Sequence, residues 1–204
     1  MRDARLYLAL EAAAVGVVEP ALRGGVDLVQ LRDKDASDDE LVAAAERIGA
    51  LCRARGVQFV LNDRPDLALA AGADGVHLGQ DDAPAEEVRA RAGDRLVIGV
   101  STHSHEQIAA AEASSADYYA VGPVWETPTK PGRPAVGLEL VRYAAAVASK
   151  PWFAIGGIDP SNVGRVAAAG ARRIVVVRAI RDADDPEAAA RALVAGLRAE
   201  AAVG

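Results

Sequence analysis

Eight short runs rich in Val, Ile and Leu recur along the chain, most of them about twenty to thirty residues apart, with Ala-rich helical stretches between them. The runs fall at residues 6–10, 28–32, 59–62, 75–78, 97–100, 118–122, 152–155 and 174–177. Continuous apolar runs suit parallel strands buried on both faces, and parallel neighbours need a crossover helix, for which this spacing leaves room. The helical stretches carry their own punctuation. Ser37 followed by Glu40 has the form of a capping box ahead of Leu41, Val42, Ala45 and Ile48, and Gly56 follows as a C-terminal cap. Asp159-Pro160 reads as an N-cap with proline at the first helical position. The phrases AAGADGVHL, ASSADYYAV and AAGARRIVV repeat one device, small residues that end a helix and feed a strand. Eight such units predict an α/β fold that closes as a single-domain (β/α)8 TIM barrel over residues 1–204, with an open doubly wound sheet as the rival.

Composition narrows the class. Apolar residues at 51% supply a large core, while aromatics at 4% predict one built mostly of Ala, Val, Leu and Ile. A net charge of −6 with no basic face argues against nucleic acid as a partner. The single cysteine, Cys52, excludes an intrachain disulfide and sits in an apolar helical pattern that points to core packing. No apolar run has the length of a membrane span, and the N-terminus lacks the basic and apolar regions of a secretory signal. The expectation is a soluble cytoplasmic protein with small-molecule partners and no membrane partner, compatible with a homo-oligomer.

In a parallel barrel the carboxyl ends of the strands meet on one face, where such folds place their chemistry. Arg32, Lys34, Asn62, Asp63, Asp82, Thr127, Thr129 and Lys130 fall at or just beyond those ends. Asp63 and Asp82 end neighbouring strands, so together they suit Mg²⁺, which takes oxygen ligands, commonly one or two carboxylates with phosphate oxygens and water. The alternative for each is helix capping or pairing with a nearby arginine, and spacing alone does not separate them from the adjacent Asp33 and Asp81. Gln30, Arg32 and Lys34 share parity and would face inward together, which is costly unless a ligand or water meets them. The rival is a local salt bridge among Arg32, Asp33, Lys34 and Asp35. Gly156-Gly157 after the seventh run lets backbone N–H groups approach a phosphate, or is an ordinary turn. Arg178 adds its charge to the same pocket or pairs outward with Asp182 or Asp184. Ser101 reads as a ligand contact, His77 as buried and hydrogen-bonded, and His103 and His105 as loop residues, with no zinc set and no Ser-His-Asp triad among them. Residues 127–136, rich in proline, read as a mobile lid over this face or as a plain surface excursion.

Taken in order, QLRDK, ND, HLGQDD, GPVWETPTK, VGLE, IGGI and VVVRAI resemble the thiamine-phosphate synthase family across nearly the whole barrel. The resemblance implies a transferase that joins 4-amino-2-methyl-5-pyrimidinylmethyl diphosphate to a thiazole phosphate. It releases diphosphate, and carbon dioxide as well when the thiazole is carboxylated. It further implies that Gln30, Arg32, Lys34, Asn62 and Lys130 contact the pyrimidine diphosphate, and that Asp63 and Asp82 hold Mg²⁺. Ser101 would lie near the diphosphate and the reacting methylene, and Thr127, Thr129, Gly157, Val177 and Arg178 at the thiazole phosphate. Arg32, Lys34, Ser101 and Lys130 are the catalytic set so implied. Arg178 departs from the serine common in the family, and the first strand, LYLALEAAA, lacks the family's frequent polar ending. The related thiazole tautomerase carries histidine where this chain has Pro123. A non-catalytic phosphate-binding barrel is the rival from another class.

Overall fold

A computed structural model of the protein describes residues 3–127 and 134–201. These form, in chain order, β1 (Leu6–Leu10), α1 (Val18–Arg23), β2 (Leu28–Leu31), α2 (Asp38–Arg53), β3 (Gln58–Asn62), α3 (Pro65–Ala70), β4 (Gly75–Leu78) and α4 (Ala85–Ala92). The second half adds β5 (Val97–Thr102), α5 (His105–Ala113), β6 (Tyr118–Val121), α6 (Gly137–Val147), β7 (Trp152–Ile155), α7 (Val163–Ala168), β8 (Ile174–Val176), α8 (Arg178–Arg181) and α9 (Pro186–Ala201). The strands pair in sequence order, all parallel, and β8 returns to β1 through Leu6 opposite Ile174 and Leu8 opposite Val176. The sheet is therefore a closed (β/α)8 barrel, and the open doubly wound alternative is excluded.

Strand parity separates two cores. Leu6, Leu8, Leu10, Val29, Leu31, Phe59, Leu61 and Val76 join the layer between sheet and helices, with Ile48 and Cys52 of α2. Burial pushes the Cys52 thiol up to about 12, as befits a core side chain. The alternate residues Tyr7, Ala9, Leu28, Val60, Tyr118, Phe153 and Val175 fill the barrel itself. The core is mostly Ala, Val, Leu and Ile as expected, and three of the few aromatic residues gather in the barrel interior. Tyr7, Tyr118 and Phe153 meet at ring-centroid distances of 5.4 to 6.3 Å in the barrel interior. Three large rings fill a space that small aliphatic residues would leave void.

The amino-terminal face of the barrel is stapled by a repeated device. Asp27, one residue before β2, accepts the Arg5 and Leu6 N–H groups at 2.9 and 3.0 Å. Asp74, before β4, accepts the Phe59 N–H at 2.8 Å. Asp117, before β6, accepts the Ile98 N–H at 2.7 Å and the Arg89 guanidinium at 2.6 Å. Each satisfies a strand-opening donor that its own sheet leaves unpaired.

Ser37 and Glu40 form the expected capping box, and Gly56 takes the positive φ of a C-terminal cap, 66°. Several boundaries differ. β2 stops at Leu31, because the Asp33 carboxylate takes the N–H groups of Ala12, Asp35 and Ala36 and turns the chain. β5 runs on to Thr102, which pairs with Val121 and donates its hydroxyl to the Ala120 carbonyl at 2.9 Å. β3 starts one residue sooner than expected, at Gln58, while β6 and β8 each end one residue sooner. Asp159 does not cap a helix beginning at Pro160. Its carboxylate binds the Ser161 N–H and hydroxyl in a turn, and α7 begins only at Val163.

Candidate active site

The carboxyl ends of the strands open onto a cavity of about 370 Å³, within the range of small-molecule sites. Inward parity puts Ala9, Gln30, Asn62, His77, Ser101, Ala120, Ile155 and Val175 on its floor and walls. Thr127, Gly156, Gly157, Val177 and Arg178 close its other side. A second, shallower pocket adjoins it, lined by Glu11, Asp33, Lys34, Asp35 and Arg181, with Arg32 and Arg178 shared between the two.

On β2, Gln30 is buried at 5% exposure, and its Nε2 has no hydrogen-bond partner among the described residues. A buried amide nitrogen without an acceptor costs about 1–3 kcal/mol, a cost that a ligand acceptor in the cavity would remove. Arg32 still belongs to the ladder through its N–H on the Leu10 carbonyl at 2.8 Å, and it borders the cavity as its parity predicts. Lys34 does not follow. The turn at Asp33 carries it outward, where its ammonium lies 3.1 Å from Asp63 with more than half the side chain exposed. The local salt bridge among Arg32, Asp33, Lys34 and Asp35 is likewise not formed as such, since backbone donors take Asp33 and Asp63 takes Lys34.

Asp63 follows β3 in a left-handed conformation, φ 60°, which aspartate tolerates better than most residues. Its N–H binds the His77 carbonyl at 2.9 Å, so the backbone of β4 fixes where the carboxylate points. Burial, then the neighbouring Asp82 carboxylate, lifts the Asp63 pKa above the usual aspartate range, and Lys34 pulls against them. Asp82 is held by the Gly79 N–H at 2.6 Å, and a Cβ at position 79 would sit 2.8 Å from that carboxylate oxygen. The two aspartates are thus gathered as the strand order predicts. Among the described residues no cluster of three or more His, Cys, Asp or Glu side chains is placed to hold a metal. Asp33 is occupied as a backbone cap, and Asp81 is exposed.

On β4 and β5, His77 and Ser101 are buried and joined, His77 Nε2 lying 3.0 Å from the Ser101 hydroxyl. The other ring nitrogen lies 3.2 Å from the Tyr118 hydroxyl, which lies 3.2 Å from that of Tyr7. His103 lies in the loop between β5 and α5, as expected, and forms a wall of the cavity, its ring held by the Gly122 carbonyl. His105, by contrast, is not a loop residue. It opens α5 and stacks on Tyr143 with centroids 4.2 Å apart.

Opposite the carboxylates, Gly156 and Gly157 take φ values of 105° and 66°. A Cβ at 156 would meet Pro123 at 2.5 Å, and one at 157 would meet Trp125 at 2.9 Å, so both positions need glycine for conformation and for space. Asn162 donates to the Gly157 carbonyl at 2.9 Å and orients that peptide. Arg178 begins α8 at the cavity rim and is exposed. The partner of Asp182 is Arg181, at 2.6 Å, which also grips Glu11 at 2.7 Å. Thr129 and Lys130 lie outside the described residues.

A family model described as thiamine monophosphate synthase matches residues 5–180. The chain belongs to the thiamine monophosphate synthase family. It is 57% identical to the thiamine-phosphate synthase of Thermus thermophilus over 198 residues, covering 93% of this chain and 95% of that one. Against the thiamine-phosphate synthase of Arthrobacter sp. it is 50% identical over 230 residues, covering 98% and 97%. The solved structure of thiamine phosphate pyrophosphorylase from Pyrococcus furiosus superposes with a TM-score of 0.88 at 33% identity, covering 96% of both chains. The span matched to the thiamine monophosphate synthase family contains all eight barrel strands and both sides of the cavity, and it ends before α9.

Proposed function

We propose that the protein is a thiamine-phosphate synthase acting in thiamine biosynthesis, joining 4-amino-2-methyl-5-pyrimidinylmethyl diphosphate to a thiazole phosphate. The observation that carries the reading beyond family membership is the two-sided cavity. On one flank Arg32 borders it, with Lys34 in the adjoining pocket and paired to Asp63, whose carboxylate lies beside that of Asp82; the glycine pair with Arg178 lines the other flank. Two anionic groups would then be held apart, with the reacting carbon and nitrogen between them.

Asp63 and Asp82 fit Mg²⁺ by the chemistry of their donors. Two adjacent carboxylates, one already penalised by burial and by the other's charge, are a poor arrangement without a cation and a good one with it. Ligand oxygens and water would complete its shell. Bound there, the ion would supply Lewis-acid stabilisation of the diphosphate charge.

The reaction breaks the bond between the pyrimidinylmethyl carbon and the diphosphate oxygen, and the electron pair leaves with diphosphate. The aminopyrimidine delocalises the positive charge left on the methylene, and the thiazole nitrogen lone pair forms the new C–N bond. Arg32, Lys34 and Lys130 would stabilise the departing charge. Gln30 and Asn62 would orient the pyrimidine, and Ser101 would sit near the diphosphate and the methylene. Thr127, Thr129, Gly157, Val177 and Arg178 would seat the thiazole phosphate. No protein nucleophile is needed. The test is incubation of the purified protein with both substrates and Mg²⁺. Thiamine phosphate and diphosphate should appear together in equal amounts; binding without diphosphate release would sink the reading in favour of a non-catalytic barrel.

A further inference from the structure

A chain of hydrogen bonds crosses the barrel interior from its sealed centre to the cavity: Tyr7 to Tyr118 at 3.2 Å, Tyr118 to His77 Nδ1 at 3.2 Å, and His77 Nε2 to Ser101 at 3.0 Å. Each link has two donor assignments, but they are not independent. Tyr7 is 1% exposed, its remaining neighbours in the barrel interior include Leu28, Val60, Phe153 and Val175, and Tyr118 is its one hydrogen-bond partner among the described residues. Burial holds both phenols well above their ordinary pKa, so each keeps its proton. Suppose Ser101 donates to His77. Then Nδ1 carries the ring proton and donates to Tyr118, Tyr118 donates to Tyr7, and the Tyr7 proton is stranded. A doubly protonated ring strands the same proton. If Tyr7 donates to Tyr118 and Tyr118 to Nδ1, every donor from Tyr7 to the His77 ring has an acceptor, and the one proton left over is that of Ser101, which borders the cavity. A stranded buried donor costs about 1–3 kcal/mol, enough to decide between the arrangements.

We infer that the closed end of this chain fixes His77 as the neutral Nε2–H tautomer, which donates to Ser101 and leaves the Ser101 proton aimed into the cavity at a ligand acceptor. His77 and Tyr118 are then positioning residues that act through Ser101. Under the proposed synthase reading, on which this part rests, the acceptor is an oxygen of the departing diphosphate. The fold is built around the arrangement. A Cβ at Gly99 would collide with the Tyr118 ring and hydroxyl, so glycine there on β5 keeps the hydroxyl against the histidine.

Nitrogen-15 spectra of the histidine-labelled protein, with His77 assigned by its loss in His77→Gln, report which ring nitrogen is protonated. A protonated Nε2 is expected without substrate; a protonated Nδ1 or a doubly protonated ring overturns the inference. Tyr7→Phe makes Tyr118 the new closed end and keeps the polarity, so the tautomer should persist and kcat should fall by less than about threefold. Tyr118→Phe removes from Nδ1 the hydroxyl that sets the polarity. The ring signal should then move toward a mixture and kcat should fall about tenfold or more. Equal losses in the two variants, with the tautomer unchanged in both, would show that the tyrosines serve packing alone and would overturn the positioning role. The wild-type spectrum needs neither variant to fold. It is also read without turnover, so an inactive protein would remove the synthase reading separately from the tautomer.

Discussion

The two ends of the barrel use aspartate in opposite ways. At the amino-terminal face Asp27, Asp74 and Asp117 each accept backbone N–H groups from the start of the neighbouring strand. At the carboxyl-terminal face Asp63 and Asp82 face one another, with Lys34 on Asp63 and the Gly79 N–H on Asp82. Burial alone does not separate the two groups. It lifts the Asp27 pKa as well, against the pull of the Arg5 and Leu6 N–H groups. The difference is what else lies nearby: donors at one face, another carboxylate at the other. The amino-terminal end spends these carboxylates on closing the sheet; at the other end Asp33 is also a backbone cap, and it is the Asp63–Asp82 pair that is crowded instead.

The sharpest way to break this comparison is to remove one carboxylate from each end. Asp82→Ala should lower turnover about 10²-fold or more per folded molecule, and chelation of Mg²⁺ should do likewise in the unaltered protein. Full activity in a chelator would end the metal hypothesis. Asp117→Ala should leave kcat per folded molecule near the wild-type value. Next in size is Lys130→Ala, expected to lower kcat about 10- to 100-fold because a charge-assisted contact to the leaving group strengthens as charge develops. An effect confined to KM would make Lys130 an anchor instead.

Much of this comparison was legible in the sequence, for a geometric reason. Every strand of a closed parallel barrel is buried on both faces, so each announces itself as an apolar run, and the residues after each run must converge. That convergence places Asp63, Asp82 and Arg32 at the mouth. Lys34 departs from strand parity because β2 ends at Leu31 and the Asp33 turn, which no periodicity encodes, sends it outward to Asp63. The chain from Tyr7 through Tyr118 and His77 was not legible either. It joins β1, β6 and β4, strands that are not neighbours and meet only across the interior. A faint signal existed. Gly75 and Gly99 share inward parity with His77 and Ser101, and glycine inside a strand marks a place where something bulky approaches.

Two smaller effects sharpen the picture. Arg178→Ala should raise KM for the thiazole phosphate roughly tenfold, from the loss of about 1.5 kcal/mol, and leave KM for the pyrimidine diphosphate near its starting value. Since Arg181 already holds Asp182, an unchanged KM for both substrates would place Arg178 outside the site. Asp117→Ala, nearly neutral for turnover, should cost about 1–3 kcal/mol of stability in denaturant unfolding, because the Ile98 N–H and the Arg89 guanidinium lose their acceptor.

The smallest expected effect is the most discriminating, because it reverses sign between the two ends. In the metal-free folded protein Asp63 keeps its proton to a higher pH than in the unfolded chain, where aspartate ionises near ~3.9. Across that interval the unfolded state binds fewer protons, so stability falls as pH rises through it, and at neutral pH the penalty is fully present. Asn at position 63 removes the charge while tolerating the φ of 60°, so backbone strain does not mask the result. The lost pairing with Lys34 is a small offset, about 0–1 kcal/mol, because that ammonium is mostly exposed. Asp63→Asn should therefore raise the Tm of the metal-free protein by about 1–3 °C at pH 7 and show no gain below pH 4. Saturating Mg²⁺ should stabilise the wild type and not the variant, erasing or inverting the difference. Asp117→Asn, which weakens a satisfied carboxylate instead of relieving a crowded one, should lower the Tm under both conditions. If Asp63→Asn is also destabilising at pH 7 without metal, the mouth carboxylates are structural like those at the other end, and the contrast between the two faces fails.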